Sequence, residues 1–495
     1  MLDSPSRPAP DASSRRPPMK PAAPLRARRL APTCGPGLVL LAGTWLASIA
    51  CSPATEPATQ VGTVNPVVVI GVDGLDPKVL DDLLQAGRLP NFQRFADKGT
   101  IGRLRTMSPT LSPVLWTTIA TGQPLEKHGI VDFQDTNDHP FTSNARKVPA
   151  LWNIASQRDR TVNCVGWWVT WPAEPVNGNM VASYAAQAQA SVVWKPGTWE
   201  KLRDQTFPAE LVERTRPLMI FARDAQEIRS RLWKRFPQPT MLDKVSTDSV
   251  SVLGWTYAAD LSFAAIAAEL LRTEPADLNM VYMALPDVAG HRFWSSHRPQ
   301  DFNIKISEPK RSDFADYVNL AYEEADRLVG TIVDAAPDNA NIIVLSDHGM
   351  RVFDIARNDP ERPVTGNHAG DVVGVIAAMG PEIRQLGNMI PKVRQSMMGG
   401  LLDVAPLVLH LMQEPVPDHW PKVGRGVDLE RMLKEDWRAD HPPQTVASDD
   451  DWFRESTESI VPGRGLDRKF IRSFQALGYA LREPGEDDEP SQDPE

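Results

Sequence analysis

Residues 65–74 read Asn-Pro-Val-Val-Val-Ile-Gly-Val-Asp-Gly and contain a continuous apolar, β-branched run. Such a run predicts a strand over Val67–Val72 that is buried on both faces of a parallel sheet. Asp73 ends the strand. Because ligands of open α/β sheets bind beyond the carboxyl ends of the strands, Asp73 is a candidate ligand of a hard cation. An ordinary turn aspartate is the alternative.

A later strand is also followed by candidate cation ligands. The apolar run Leu278–Leu285 leads into a predicted turn that carries Asp287 and His291. An Asp and a His four residues apart can converge on one ion when the strand end supplies the carboxylate and the turn supplies the imidazole. This pair is therefore a second candidate for cation binding.

The same pairing recurs further along the chain. A predicted strand over 341–345 ends in Asp347-His348, and His368 lies just before a predicted strand over 372–378. A single histidine of this kind is usually structural. Four such sites on one sheet are hard to explain in that way and favour a metal centre.

Residues 106–130 read TMSPTLSPVLWTTIATGQPLEKHGI and contain the candidate nucleophile. Pro113 suits the first turn of a helix and Gly122 suits its end, so we predict a helix that begins at or beside Ser112. Unpaired backbone N–H groups and the positive end of the helix dipole would favour an anion at the Ser112 oxygen. A capping serine is the alternative.

Helical patterns alternate with these strands, which predicts an α/β fold with a doubly wound, mostly parallel sheet and helices on both faces. The predicted helices cover residues 77–86, 90–98, 148–157, 258–271, 312–335 and 401–412. Residues 183–249 lack strand patterns and contain scattered amphipathic helix, so we predict an inserted cap subdomain that shapes access to the site.

A further strand is predicted over residues 161–169, and it leads into a tryptophan cluster, Trp167, Trp168 and Trp171. Buried packing against the sheet is the predicted role of these side chains. Lining of a substrate pocket is the alternative.

The N-terminal 50 residues have the layout of a signal peptide, with arginines before an apolar run and small residues before Cys51. This region resembles a bacterial lipoprotein export signal. The resemblance implies lipid on Cys51, a Pro/Thr-rich tether over residues 51–65, possible attachment to a membrane, and a periplasmic or cell-envelope location. Plain cleavage after Ala50 and a retained anchor are the alternatives.

Composition limits the remaining functions. The 495 residues are 42% hydrophobic and 23% charged, as in globular domains. Loss of residues 1–50, with seven basic and two acidic side chains, would change the net charge from −10 to −15, which argues against nucleic-acid binding by charge. Three cysteines allow neither a disulfide framework nor a cysteine zinc site. We predict a catalytic domain over 66–435, an extension over 436–482 and a disordered acidic tail over 483–495.

Together these motifs resemble the alkaline phosphatase superfamily and, within it, the type I phosphodiesterase/nucleotide pyrophosphatase branch. The resemblance covers about residues 66–433 and rests on an ordered set of motifs: IGVDGLD, PTLSPVLWTTIATG, HGI, LPDVAGHRF, LSDHGM, GNHAG and LLDVAPLVLHLM. It implies an alkaline-phosphatase-like fold and a hydrolase that acts on phosphodiester or pyrophosphate bonds of a small phosphorylated substrate. The sequence does not indicate an oligomeric state.

The resemblance also implies a two-metal site with Ser112 as the nucleophile, at a position usually occupied by Thr in the nucleotide pyrophosphatases. The implied ligands are Asp73, Asp347, His348 and the Ser112 oxygen for one ion, and Asp287, His291 and His368 for the other. Mixed Asp and His ligation suits zinc best, with manganese or iron as alternatives. Two cations about 4 Å apart can hold the attacking and leaving oxygens of a phosphoryl displacement.

Three other functions stay open. Leu115 stands where the pyrophosphatases carry an Asn that contacts phosphate, so a phosphomonoesterase of the same superfamily is one alternative. A sulfatase is the second, although its nucleophile motif places Pro two residues after the nucleophile and then Arg, whereas Pro113 directly follows Ser112. A non-catalytic surface lipoprotein that uses the fold for binding is the third. Retention of all six candidate side-chain ligands argues against it.

Overall fold

The computed structural model describes residues 64–135, 140–186, 203–221, 225–240, 242–302, 308, 310–352, 364–370, 372–418, 420 and 429–446. The predicted signal peptide, nearly all of the tether, Cys51 and the acidic tail lie outside these residues. So does most of the predicted C-terminal extension. Those predictions stay predictions.

The chain alternates strands and helices over most of its described length. The strands are β1 (Val67–Val72), β2 (Gly99–Arg105), β3 (Val162–Val165), β4 (Gly178–Val181), β5 (Thr206–Phe207), β6 (Leu278–Met283), β7 (Asn341–Leu345), β8 (Arg351–Val352), β9 (Gly366–Asn367), β10 (Val373–Met379), β11 (Gly387–Asn388), β12 (Met397–Gly400), β13 (Val416–Pro417) and β14 (Thr445–Val446). The α-helices are α1 (Pro77–Gln85), α2 (Pro90–Lys98), α3 (Ser112–Thr121), α4 (Leu125–His128), α5 (Leu151–Gln157), α6 (Leu211–Thr215), α7 (Ala225–Leu232), α8 (Lys244–Thr273), α9 (Leu285–His297), α10 (Lys310–Phe314), α11 (Tyr317–Val333), α12 (Val404–Leu411) and α13 (Glu435–Asp440). Short 3₁₀ helices cover Ser143–Ala145, Ser183–Ala185, Arg216–Leu218, Pro299–Asp301, Leu401–Asp403 and Leu429–Met432.

The central sheet has ten strands in the order β11-β2-β10-β7-β1-β6-β3-β4-β5, with β12 also paired to β2. Strand β1 pairs in parallel with β6 on one side and β7 on the other. The pairs β6-β3 and β3-β4 are also parallel, whereas β10 runs antiparallel to β2 and β7. The sheet is therefore mixed and mostly parallel, as predicted.

Helices cover both faces of this sheet, which confirms the predicted doubly wound arrangement. Val68 and Ile70 of β1 pack into a core with side chains of α1, α2, α8, α9 and α11. Val67 and Val69 face the opposite side and pack with α3, α5 and α12. All six residues of β1 are buried, as its unbroken apolar sequence predicts.

Two predicted elements near the centre of the sheet were wrong in extent. The strand predicted over 161–169 ends at Val165, because Gly166 and Val169 adopt φ values of 69° and 57°, which an extended strand does not allow. The helix predicted over 258–271 is the C-terminal part of the 30-residue helix α8, which begins at Lys244. Asp243 caps that helix by accepting a hydrogen bond from the Ser246 backbone N–H.

The predicted turn that carries Asp287 and His291 is instead the first half of helix α9. Strand β6 ends at Met283, and α9 begins two residues later at Leu285. Pro286 lies in the first turn of the helix, where a missing N–H leaves no hydrogen bond unmade. Pro286 therefore marks the start of a helix and not a turn.

The predicted cap over 183–249 stays a prediction. Within its described residues, β5 pairs antiparallel with β4 and extends the main sheet. Leu232 and Phe236 pack into the same core as α8. Residues from Lys244 onward belong to α8 itself. The described part of this segment thus adds to the edge of the main domain.

One described helix, α8, is long and apolar enough to cross a membrane by length and composition alone. Its most apolar window is 72% buried in the protein. A core helix of a soluble domain meets the same criterion, and α8 packs in that way between the sheet and α11.

Candidate active site

The six predicted side-chain ligands meet at the carboxyl edge of the sheet, around the end of β1. They are Asp73 after β1, Asp347 and His348 after β7, Asp287 and His291 on the helix that follows β6, and His368 after β9. All six are buried, with no more than 4% of any one exposed. Strands β7, β1 and β6 are neighbours, so the order of the sheet brings these distant segments together.

The first group of ligands joins β1 to β7. Oδ1 of Asp73 lies 3.3 Å from Nε2 of His348, and Oδ2 of Asp347 lies 3.4 Å from the same nitrogen. The Nδ1–H of His348 donates to the Gly349 carbonyl at 3.1 Å, which leaves Nε2 as the atom that faces both carboxylates. Within the described part of the chain, these two carboxylate oxygens and Nε2 make no hydrogen bond although they are buried.

The second oxygen of Asp73 is held by two aromatic side chains. Nε1–H of Trp116 donates to Oδ2 at 2.9 Å, and the Tyr282 hydroxyl donates to the same atom at 2.6 Å. These bonds fix the carboxylate plane and leave Oδ1 directed at His348. Neither residue was predicted from the sequence. Tyr282 lies opposite Gly71 in the β1-β6 register, so only knowledge of the strand pairing would have placed it beside Asp73.

The second group of ligands is organised by α9. Asp287 and His291 are four residues apart on one helical face, and Oδ1 of Asp287 lies 3.3 Å from Nε2 of His291. The Nδ1–H of His291 donates to the Gly366 carbonyl at 2.8 Å and so orients Nε2 toward Asp287. The ring of His368 completes the group, with its centroid 4.9 Å from that of His291.

The two groups share a boundary. The rings of His368 and His348 stack with centroids 3.8 Å apart. Candidate ligand atoms of Asp287, His291 and His368 lie within 4.8 Å of one another, and those of Asp73, Asp287 and His348 satisfy the same limit. Asp287 therefore stands between the two groups.

The buried environment sets the protonation states of these side chains. Burial lowers the pKa of His291 to about 4 and also lowers the pKa values of His348 and His368. At neutral pH the three imidazoles are therefore neutral and can act as ligands. Burial, followed by the charge of Asp73, raises the pKa of Asp347 well above its usual range. Buried carboxylates that repel one another beside neutral imidazoles fit a bound divalent cation.

Ser112 is the first residue of α3, directly after the N-cap residue Leu111, and it is fully buried. The prediction of a helix that begins at or beside Ser112 and ends at Gly122 is confirmed. Two contacts place this helix start near the ligands. Trp116, one turn further along α3, donates to Asp73, and the ring of His368 lies beside the backbone of Thr110.

Ser346 braces the loops that carry the first group and was also missed in the sequence analysis. Its Oγ accepts a hydrogen bond from the Leu75 N–H at 2.8 Å and donates to the His348 carbonyl at 2.9 Å. The loop after β1 and the loop after β7 are thereby tied together. The tryptophan cluster has the predicted role of buried packing, with Trp167, Trp168 and Trp171 exposed by 7% or less.

Gly74 allows the end of β1 to approach α9. It has φ 74°, and a Cβ at this position would lie 2.5 Å from the Asp287 Cα. Gly87 has a similar φ of 68°, but a Cβ there would meet no other atom within 4 Å, so it makes a matched control.

We expect Gly74→Ala to lower the free energy of unfolding by about 3 kcal/mol, since backbone strain and a backbone clash add together. We expect Gly87→Ala to cost only about 1 kcal/mol, from the left-handed backbone alone. Urea unfolding of both variants checks this difference. Equal losses in the two variants would show that the contact with Asp287 does not constrain the fold.

Comparison with known proteins gives one family match and several similar solved structures. A sequence model of the family described as type I phosphodiesterase/nucleotide pyrophosphatase matches residues 67–363. No curated protein matches the chain. Human ectonucleotide pyrophosphatase/phosphodiesterase 5 is similar in structure, with 13% identity, 74% of this chain and 100% of that chain covered, and a TM-score of 0.43.

Two further solved structures are similar. The murine ectonucleotide pyrophosphatase/phosphodiesterase 5 in complex with AMP shows 13% identity, covers 75% of this chain and 100% of its own, and has a TM-score of 0.43. Phosphonoacetate hydrolase from Sinorhizobium meliloti shows 16% identity, covers 60% of this chain and 59% of its own, and has a TM-score of 0.35. Since the family match spans more than half of the sequence, the chain belongs to the type I phosphodiesterase/nucleotide pyrophosphatase family and is a phosphoester hydrolase.

Proposed function

We propose that this protein hydrolyses phosphodiester or pyrophosphate bonds of a small phosphorylated substrate through a phosphoserine at Ser112, in a site that holds two divalent cations. One observation carries the proposal. Six buried Asp and His side chains from separate segments of the chain converge beyond the end of β1, and Trp116 of α3, one turn after Ser112, donates a hydrogen bond to one of them, Asp73. A buried cluster of this composition is unfavourable unless it binds cations.

Asp73, Asp347 and His348 would hold one cation together with the Ser112 oxygen, and Asp287, His291 and His368 would hold the other. When bound, such ions supply positive charge that lowers the pKa of a coordinated hydroxyl and offsets the charge of the transferring phosphoryl group. The donor set of carboxylate oxygens and imidazole nitrogens favours zinc, with manganese or iron as alternatives.

Ser112 acts as the nucleophile in this proposal. Its Oγ forms a bond to phosphorus while the bond to the leaving oxygen breaks, which gives a phosphoserine and an alcohol or phosphate product. Water then attacks the phosphoserine, restores the serine hydroxyl and releases phosphate or a phosphomonoester. The start of α3 helps because its backbone N–H groups and dipole stabilise negative charge at Ser112.

A phosphomonoesterase is the second candidate, and Leu115 favours it. This side chain is 1% exposed and packs in the core shared by α3, α5 and α12. Leu115 cannot donate a hydrogen bond to a phosphate oxygen. The chain therefore lacks one polar contact that the resemblance implies for the pyrophosphatases, which removes one argument for a diester preference.

Initial rates with matched aryl phosphate monoesters and diesters decide between the two candidates. The purified protein is assayed with added zinc or manganese, before and after chelation. We expect chelation to abolish turnover and metal to restore it, because buried Asp and His ligands supply no nucleophile activation by themselves. Faster diester turnover supports a phosphodiesterase, and faster monoester turnover supports a phosphatase. Turnover that survives complete removal of metal would contradict both.

A further inference from the structure

Asp260 is a buried carboxylate that the reaction outlined above does not use. It lies in the middle of α8 and is 2% exposed. Its oxygens accept hydrogen bonds from the Ala284 N–H at 3.0 and 3.1 Å and from the Leu285 N–H at 2.8 Å. These two donors lie at the N-terminus of α9, so a side chain of one helix caps the start of another.

Helix α9 has no cap of its own. Its N-cap residue is Ala284, whose side chain makes no capping bond, and Pro286 in its first turn has no N–H. The positive end of the helix dipole is stabilised by a negative charge, and Asp260 supplies a carboxylate at that point. Burial raises the pKa of Asp260 to about 7, and the two backbone N–H groups act in the opposite direction because they favour its charged form.

The first two turns of α9 carry two candidate cation ligands. Asp287 lies in the first turn, and His291 lies one turn later with Nε2 3.3 Å from the Asp287 carboxylate. A shift or fraying of the helix start would move both groups away from His368. The position of Asp287 therefore depends on what holds Leu285.

We propose that Asp260 is a positioning residue for cation binding, which caps α9 and thereby holds Asp287 and His291 where both face one ion. This inference rests on the proposed two-cation site. Its hydrogen bonds go to the backbone N–H groups of Ala284 and Leu285, so Asp260 acts on Asp287 and His291 through the helix backbone. Changes to residues that orient metal ligands usually lower metal affinity by about 10- to 100-fold.

Asp326 provides a matched control at a distance from the site. It lies in α11, is 2% exposed, and accepts hydrogen bonds from the Asn91 N–H at 3.0 Å and the Phe92 N–H at 2.7 Å. It thus caps the start of α2 from a neighbouring helix, and α2 also begins with a proline. Helix α2 carries no candidate ligand, so loss of this cap affects stability alone.

The test compares Asp260→Asn and Asp326→Asn with the wild-type protein. Zinc affinity is measured by titration against a competing chromophoric chelator, and amide hydrogen exchange is measured for residues 284–291 in metal-free protein. We expect both variants to have a lower Tm. We expect faster amide exchange over residues 284–291 only in Asp260→Asn. We also expect only this variant to bind zinc about 10- to 100-fold more weakly at the site formed by Asp287, His291 and His368. The zinc affinity of Asp326→Asn should stay within about twofold of wild type.

Wild-type zinc affinity in Asp260→Asn would overturn the positioning role, as would an equal loss of affinity in Asp326→Asn. Should Asp260→Asn not fold, Asp260→Glu keeps the charge and displaces the carboxylate by one methylene, and the same titration and the same criteria apply to it. A wild-type protein that binds no zinc, manganese or iron would contradict the two-cation proposal itself. The two failures can be told apart, because the amide exchange of residues 284–291 is measured in metal-free protein and reports on the capping of α9 alone.

Discussion

Ser112→Ala is expected to lower kcat for phosphoester hydrolysis by about 1,000-fold or more, with little change in Tm. The loss follows because the alanine methyl group cannot form a bond to phosphorus, and removal of a nucleophile leaves only binding and charge stabilisation. The change in Tm should be small because Ser112 is the first residue of α3, a position that alanine also accepts, and Leu111 remains the N-cap residue. Steady-state rates with saturating zinc and a thermal melt of the same sample check both parts.

Two controls make the result specific to the nucleophile. Ser112→Thr keeps an alcohol at the same position and should retain hydrolysis to within about tenfold. Ser143→Ala removes another buried hydroxyl, which donates to the Pro172 carbonyl, and should lower stability by about 1 kcal/mol without a comparable loss of rate. Acid quenching during turnover should trap phosphate on wild-type protein and not on Ser112→Ala. Full metal-dependent activity in Ser112→Ala would exclude a phosphoserine mechanism.

The strand ends could be predicted from the sequence because each depends on a local pattern. The apolar run before Asp73 and the one before Asp347 are long enough to indicate buried parallel strands, and ligands gather at the carboxyl ends of such strands. The end of α3 at Gly122 could be predicted in the same way, because a helix often ends at a glycine with a left-handed backbone. Gly122 has such a backbone, with a φ of 62°. Residues whose role follows from their own segment were thus accessible without the fold.

Helix α9 shows where local patterns misled. Pro286 and Gly290 suggested a turn, yet the glycine meets a different requirement, because a Cβ there would lie 2.6 Å from the Met350 side chain. That contact joins α9 to the loop after β7, which only the folded chain brings close. Asp260 illustrates the same limit, since the N–H that it binds at Ala284 lies 24 residues later in the sequence. Contacts between segments that are distant along the chain leave no regular spacing pattern in the sequence.

The extent of α8 was missed for a related reason. The apolar pattern over 258–271 predicts a helix, whereas residues 244–249 at the start of the same helix were assigned to an insertion. These residues are helical because Asp243 caps the N-terminus and because Leu253 and Tyr257 bury one face in the main core. Tertiary packing therefore extended a helix beyond the region in which its sequence is strongly apolar.

Asp347→Asn is expected to change stability and activity in opposite directions. In chelator, the variant should be more stable than wild type, because it removes a buried negative charge that Asp73 repels. The backbone bond from the His348 N–H to Oδ1, at 3.1 Å, is one that an asparagine oxygen can also accept. With zinc present, hydrolysis should fall by about 1,000-fold, since a neutral amide oxygen binds a divalent cation much more weakly than a carboxylate does. Both the higher stability in chelator and the lower activity with zinc follow if Asp347 is needed for cation binding but destabilises the protein when no cation is bound.

The pH dependence gives this prediction a definite sign. Because the pKa of Asp347 is raised in the folded protein, the folded state keeps this proton to a higher pH than the unfolded chain does. Wild-type stability without metal should therefore decline, relative to Asp347→Asn, as pH rises from near the unfolded value of 3.8. Melts in chelator between about pH 4.5 and about pH 8 should show a gap that widens with pH. Saturating zinc should reverse the order, because only wild type then gains strong binding energy. If the variant is no more stable than wild type at about pH 8 in chelator, burial does not strain Asp347. If the variant keeps full activity with zinc, Asp347 is not a cation ligand.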